Sequence, residues 1–92
     1  MDYRDQTFEN ARVELDGNVY TGCSFYDCVF IFNGSAACGL NVNRYRGPLR
    51  MEFGDGAART LRFLNDLYHS GEAGRQSVEQ TFENIRQDHY YQ

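Results

Sequence analysis

Histidine, cysteine and clustered arginine are the side chains through which this sequence could do chemistry. A cysteine nucleophile needs a base held in place by a third group. Yet no histidine lies near Cys23, Cys28 or Cys38, since the two histidines are His69 and His89. A zinc site needs ligands at close, paired spacing, and three cysteines without a CxxC pair do not supply it. His69 and His89 each fall near the end of a helical pattern, where a positive side chain interacts favourably with the helix dipole. Gly54-Asp55-Gly56 opens a helical pattern as a phosphate loop would, but it lacks GxxxxGK, and Asp55 would repel phosphate. These observations point away from an enzyme, with no catalytic residue, metal or cofactor expected. The cysteines are expected to be buried free thiols, because free cysteine is among the most buried residue types. Cys38, between Ala37 and Gly39, is the one whose thiol could be accessible.

Arginine is the polar feature that stands out. All nine basic residues are arginine, and against thirteen carboxylates they leave a formal charge of −4. Between positions 44 and 62 stand Arg44, Arg46, Arg50, Arg59 and Arg62 with Tyr45 interleaved, and the only acids are Glu52 and Asp55. If the last strand and the first helix lie side by side, Arg44, Tyr45, Arg46, Arg50, Arg59 and Arg62 form a partner-binding patch. Guanidinium groups pair with carboxylate or phosphate and stack on aromatic rings. The acidic balance argues against sequence-independent duplex binding, whose affinity comes from neutralised phosphates. Toward the end the balance reverses, with Glu72, Glu79, Glu83 and Asp88 outnumbering Arg75 and Arg86.

Those residues must be positioned by a chain of 92 residues, which is expected to form a single domain over 1–92. Seven Tyr and seven Phe compensate in part for the small core that such a length allows. No apolar run approaches the roughly 20 residues of a membrane span, and MDYRDQ lacks the order of a secretory signal. A cytoplasmic site is expected. Residues 1–6 read as loose. Ala11, Val13 and Leu15 alternate with polar residues up to Asp16-Gly17-Asn18, which reads as a strand and a turn. Cys23 to Phe32 reads as a central strand buried on both faces, and Asn33-Gly34 as a tight hairpin turn. Ala36, Cys38, Leu40 and Val42 mark another strand, and Leu49, Met51 and Phe53 a last one. The β-rich part spans 7–53 and the helical part 56–88. There, Ala57, Leu61, Leu64, Leu67 and Tyr68 form one stripe, Gly71 a stop, and Val78, Phe82 and Ile85 a second stripe. Ser77 and Gln80 have capping-box spacing, although the second helix could instead begin near Gly74. Gln6-Thr7-Phe8-Glu9-Asn10 recurs as Gln80-Thr81-Phe82-Glu83-Asn84 in the opposite structural context, so no duplication is inferred.

A five-residue beat runs beneath these elements. Leu15, Tyr20, Phe25, Phe30, Leu40 and Tyr45 share one register, and Val13, Asn18, Cys23, Cys28, Cys38 and Asn43 stand two residues upstream of them. The segment NVYTGCSFYDCVFIF resembles three units of the pentapeptide-repeat family, whose coils form a four-sided β-helix. The resemblance implies that Tyr20, Phe25 and Phe30 point inward, with Asn18, Cys23 and Cys28 as small inward neighbours. It covers under half of the chain, and Ser35 and Arg50 fall at centre positions. The expected fold is α+β, with a small antiparallel sheet of four to five short strands followed by two C-terminal helices. The alternative is one or two irregular β-helix coils capped by those helices.

Small size, acidity and aromatic richness together are similar to the profile of phage- or mobile-element-encoded inhibitors of bacterial defence, anti-CRISPR proteins included. The expected function is a non-catalytic protein-binding module that covers a partner surface. Its partner would be a protein such as a multi-subunit bacterial complex, and no membrane is involved. The alternative is an arginine patch that binds nucleic acid or a nucleotide. A homodimer through an exposed edge strand stays open.

Overall fold

The computed structural model describes residues 1–89. The chain divides into two compact units, Met1–Ala58 and the residues from Arg59 onward. The first holds nine short strands: β1 Asp2–Arg4, β2 Thr7–Glu9, β3 Arg12–Glu14, β4 Val19–Thr21, β5 Ser24–Tyr26, β6 Val29–Phe32, β7 Gly39–Asn41, β8 Arg44–Arg46 and β9 Arg50–Phe53. Neighbours in sequence do not pair. Three parallel sheets form instead, in the orders β1-β4-β7, β2-β5-β8 and β3-β6-β9. Each strand is one side of a turn of chain, and three turns stack as coils with their strands in register. Tyr3 lies opposite Tyr20 and Tyr20 opposite Leu40; Phe8, Phe25 and Tyr45 form a second column, and Val13, Phe30 and Met51 a third.

This corrects the expected antiparallel sheet of four to five strands, and it also gives three coils where one or two were the alternative. The reason lies in the corners. Between successive strands stands a single residue in the left-handed region: Asp5 and Asn10 in the first coil, Gly22 and Asp27 in the second, Val42 and Gly47 in the third. One such residue bends the chain around a corner without returning it beside the strand just left. The corner amides then bond to the coil above, Asp5 N–H to the Thr21 carbonyl and Asp27 N–H to that of Arg46, both at 3.0 Å. At Gly47, with φ +70°, an added Cβ would run into the Asp27 carboxylate.

Other expectations are corrected for related reasons. Residues 2–4, read as loose, form β1 because Tyr3 stacks on Tyr20 with ring centroids 4.9 Å apart. The continuous strand expected from Cys23 to Phe32 breaks into β5 and β6 at Asp27, where φ is +53°. Asn33-Gly34 makes no hairpin, although Gly34 does take a positive φ of 78°. The loop after β6 is tied down from the first coil: the Asp16 carboxylate accepts the N–H groups of Asn33 at 2.7 Å, Ser35 at 2.6 Å and Ala36 at 3.4 Å, together with the Ser35 hydroxyl. These bonds, that from Asn33 first, lower the Asp16 carboxyl to about 2.

The core sits in the middle coil. Tyr20, Phe25, Phe30, Cys23 and Cys28 are buried together with Val13 and Leu15. Burying a large apolar side chain contributes about 1.5–3 kcal/mol. Phe25 stacks on Phe8 at 5.2 Å and meets Phe30 edge-on at 5.0 Å. The Cys28 thiol lies 3.4 Å from the carbonyls of Phe8 and Tyr26, so this small polar group enters the core with its donor satisfied. The expectation of three buried thiols holds for Cys23 and Cys28, whereas Cys38 is exposed.

Two helices follow, α1 over Asp55–Tyr68 and α2 over Glu72–Arg86. Gly71 is the N-cap of α2, so the helix begins ahead of Gly74 and well before the Ser77 capping box. In α1 no side chain is buried and in α2 only Val78 is, which leaves Leu61, Phe63, Tyr68, Phe82 and Ile85 exposed.

Candidate partner-binding surface

The third coil repeats the inward register of the second, and among the described residues no further strand pairs with β7, β8 or β9. β8 alternates strictly. Tyr45 faces inward, its ring stacked 5.7 Å from that of Phe25 and edge-on to Phe30, while Arg44 and Arg46 face outward. The Arg46 guanidinium sits 5.7 Å from the centre of the Tyr26 ring, a cation–π contact that holds it against the outer wall. On the next face, β9 places Arg50 opposite Val29, Met51 opposite Phe30 and Phe53 opposite Phe32.

The coil therefore ends in an apolar mouth. Leu40 is 43% exposed, Tyr45 45%, Met51 65% and Phe53 38%. Phe30, Phe32, Leu40, Met51 and Phe53, with Cys38, line a cavity of about 230 Å³ there. Around the mouth, Arg44, Arg46 and Arg50 have no ion pair among the described residues. Glu52, the acid nearest to them in sequence, is engaged by Arg12 through two bonds of 2.7 and 3.0 Å. The guanidinium bonds hold the Glu52 carboxyl below its ordinary range.

Of the residues expected to form one patch, the structure brings Arg44, Tyr45 and Arg46 together on a single strand and Arg50 onto the adjoining face of the same coil. Arg59 and Arg62 are exposed on α1 and belong to the second unit. Sequence reasoning missed Leu40, Met51 and Phe53 as surface residues because their alternation is that of a core strand. The signal that could have found them is positional: after Phe53 the period becomes helical, so no further coil is available to cover them.

The second unit has an apolar groove of its own, about 280 Å³, between α1 and α2 and lined by Leu61, Leu64, Tyr68, Val78 and Phe82. His69 directs Nδ1 at the Asn65 carbonyl, 2.8 Å away. Among the described residues no group of three or more His, Cys, Asp or Glu could hold a metal ion, and no helix is long and apolar enough to cross a membrane. In comparisons with known proteins, no family model, no curated protein and no solved structure matches the chain.

Proposed function

We propose that this chain is a non-catalytic protein-binding module that acts by covering a partner's surface, as a phage- or mobile-element-encoded inhibitor of a bacterial defence complex would. One observation carries the reading: apolar side chains in core register stand exposed on the third coil, whose strands β8 and β9 also carry the exposed Arg44, Arg46 and Arg50. An interface core of aromatic and Met side chains with Arg at its rim is the composition that distinguishes contact surfaces from the rest of a protein. Each large apolar side chain newly covered would add up to about 1.5–3 kcal/mol, against which association costs roughly 4–15 kcal/mol. The arginines would steer an acidic partner and fix its orientation.

The test is capture of partners from bacterial lysate, with and without nuclease, by the wild type and by Arg44→Glu/Arg46→Glu. A stoichiometric protein that survives nuclease and is lost with the variant is the expected result. Recovery of nucleic acid, with binding that falls steeply between 50 and 200 mM salt, would transfer the reading to a nucleic-acid-binding arginine patch.

A further inference from the structure

We propose that the open third coil takes up an extended segment of its partner as a fourth rung, laid parallel along β8, and that this segment alternates acidic and apolar residues. The inference rests on the protein-binding reading above and specifies the chemistry of the partner.

The columns define what a further rung must look like. On this face Thr7, Ser24 and Arg44 lie in one outward column and Glu9, Tyr26 and Arg46 in another, with Phe8, Phe25 and Tyr45 inward between them. Strands in a sheet lie about 4.8 Å apart. A strand added in register therefore sets an apolar side chain on the free face of the Tyr45 ring, as Tyr45 is set on Phe25. Its two flanking residues come to lie over Arg44 and Arg46, which have no ion-pair partner among the described residues and would be met by carboxylates. The order acid–apolar–acid follows.

The backbone offers the matching half of the bond pattern. Between the second and third coils, Arg44 N–H donates to the Cys23 carbonyl at 2.8 Å, and Asp27 N–H donates to the Arg46 carbonyl at 3.0 Å. One rung further, the equivalent groups are the Asn43 carbonyl and the Gly47 N–H. Neither has a hydrogen-bond partner among the described residues. Strand addition to an open edge draws affinity from such main-chain bonds and specificity from alternate side chains. The mouth beside Tyr45, with Leu40 and Met51, gives the inward side chain apolar walls on the neighbouring faces.

The probe is a blocked, fluorescein-labelled peptide containing Glu-Val-Glu-Phe-Glu-Val-Glu, compared with a Lys-for-Glu version and with a shuffled peptide of the same composition. Binding is read by anisotropy on the full chain, and rung formation by hydrogen exchange at the Gly47 amide. The expected results are saturable binding of the alternating peptide, at least tenfold weaker binding of both controls, and at least tenfold slower exchange at Gly47 when bound. Arg44→Glu/Arg46→Glu, whose fold is checked by circular dichroism, should lose tenfold or more and should prefer the Lys peptide. Equal binding of the shuffled peptide, or binding without protection of Gly47, would overturn the fourth rung, as would absence of saturable binding at millimolar peptide. Concentration-dependent self-association that blocks the peptide would make a second copy the occupant, and tighter binding of a single-stranded oligonucleotide at these arginines would make it nucleic acid; either overturns the proposal. Failure of the peptide while a nuclease-resistant protein is still captured leaves the binding-module reading standing, whereas loss of both removes the two together.

Discussion

The second and third coils use one register and meet opposite fates. Phe25 is 1% exposed and Tyr45, stacked directly on it, 45%; Phe30 is 4% exposed and Met51, its neighbour one coil on, 65%. Pointing inward is therefore not what buries a side chain in a stack of coils. Covering by neighbouring coils is: with a coil on each side Tyr20, Phe25 and Phe30 are all buried, whereas with a coil on one side only the outcome varies, Val13 being buried, Tyr3 and Phe8 half-buried, and Tyr45 and Met51 exposed. The middle coil has this and forms the core, and the third lacks it on its far side and forms a surface from residues of the same type.

That contrast can be broken or sharpened by experiment. The largest expected effect is kinetic: Cys38 should react with a thiol reagent at the rate of a free thiol, while Cys23 and Cys28 react slower by orders of magnitude until denaturant is added, because buried thiols are inert. Mass spectrometry of the labelled sites checks this, and rapid labelling of Cys28 in the native protein would remove the distinction between the coils. Next, Phe25→Ala should cost about 3–5 kcal/mol as a buried large-to-small change, whereas Tyr45→Ala should cost about 1 kcal/mol. Urea unfolding of the two variants side by side tests the difference.

Smaller effects belong to the corners. Gly47→Ala should destabilise by about 1–3 kcal/mol, since alanine is strained at φ +70° and its Cβ would strike Asp27. Val42 takes the equivalent of the Gly22 corner one coil on, with φ +55° and a side chain 88% exposed. A β-branched residue is costly there and gains nothing from packing, so Val42→Gly should raise stability by about 1 kcal/mol in the same assay.

The smallest effect is a pH dependence. Asp16 is held at about 2, below the ordinary value near 4 of an unfolded aspartate. Its contribution is complete above pH 4 and is lost as the pH falls from about 4 through about 2. Asp16→Asn should therefore be less stable than the wild type at pH 6, with the gap closing over that window. Acid titration followed by circular dichroism reads it, and a gap that stays constant from pH 6 to pH 2 would show that the carboxylate's charge plays no part.

Much of the β part was legible as residues and little of it as topology. The beat of Tyr20, Phe25 and Phe30 marks inward positions without long-range information, because side chains alternate in the same way in parallel and antiparallel strands. Partner choice was hidden by unequal turns, since Asp2 pairs with Val19 but Val19 with the more distant Gly39. Asn33-Gly34 carries the local signal of a hairpin, and the Asp16 contacts that turn it into a corner loop are long-range. Likewise Gln-Thr-Phe-Glu-Asn forms β2 and a corner near the start and a stretch of α2 near the end. Phe8 packs among rings there, whereas Phe82 belongs to a helical stripe, so context decides where local preference is weak. The arginine cluster was legible as composition. Its division between the coil and the second unit was not, because that depends on where the stack ends.

The pairing of Asp16 with the loop after β6 also bears on how the chain can change in length. A residue inserted inside a strand would turn every later side chain of that coil to the opposite face, whereas the corners are more forgiving: three residues, 47–49, separate β8 from β9 where two, 27–28, separate β5 from β6, and β9 still pairs in register with β6. The segment between Phe32 and Gly39 lies outside all three columns, and the second turn already carries its additional residues there. Insertions and deletions should thus be tolerated in that segment and at corners such as the one after β8, or else arrive as whole turns, so that the molecule evolves in length as a text does whose lines can be added and whose line ends can be extended, but whose words cannot be respelled.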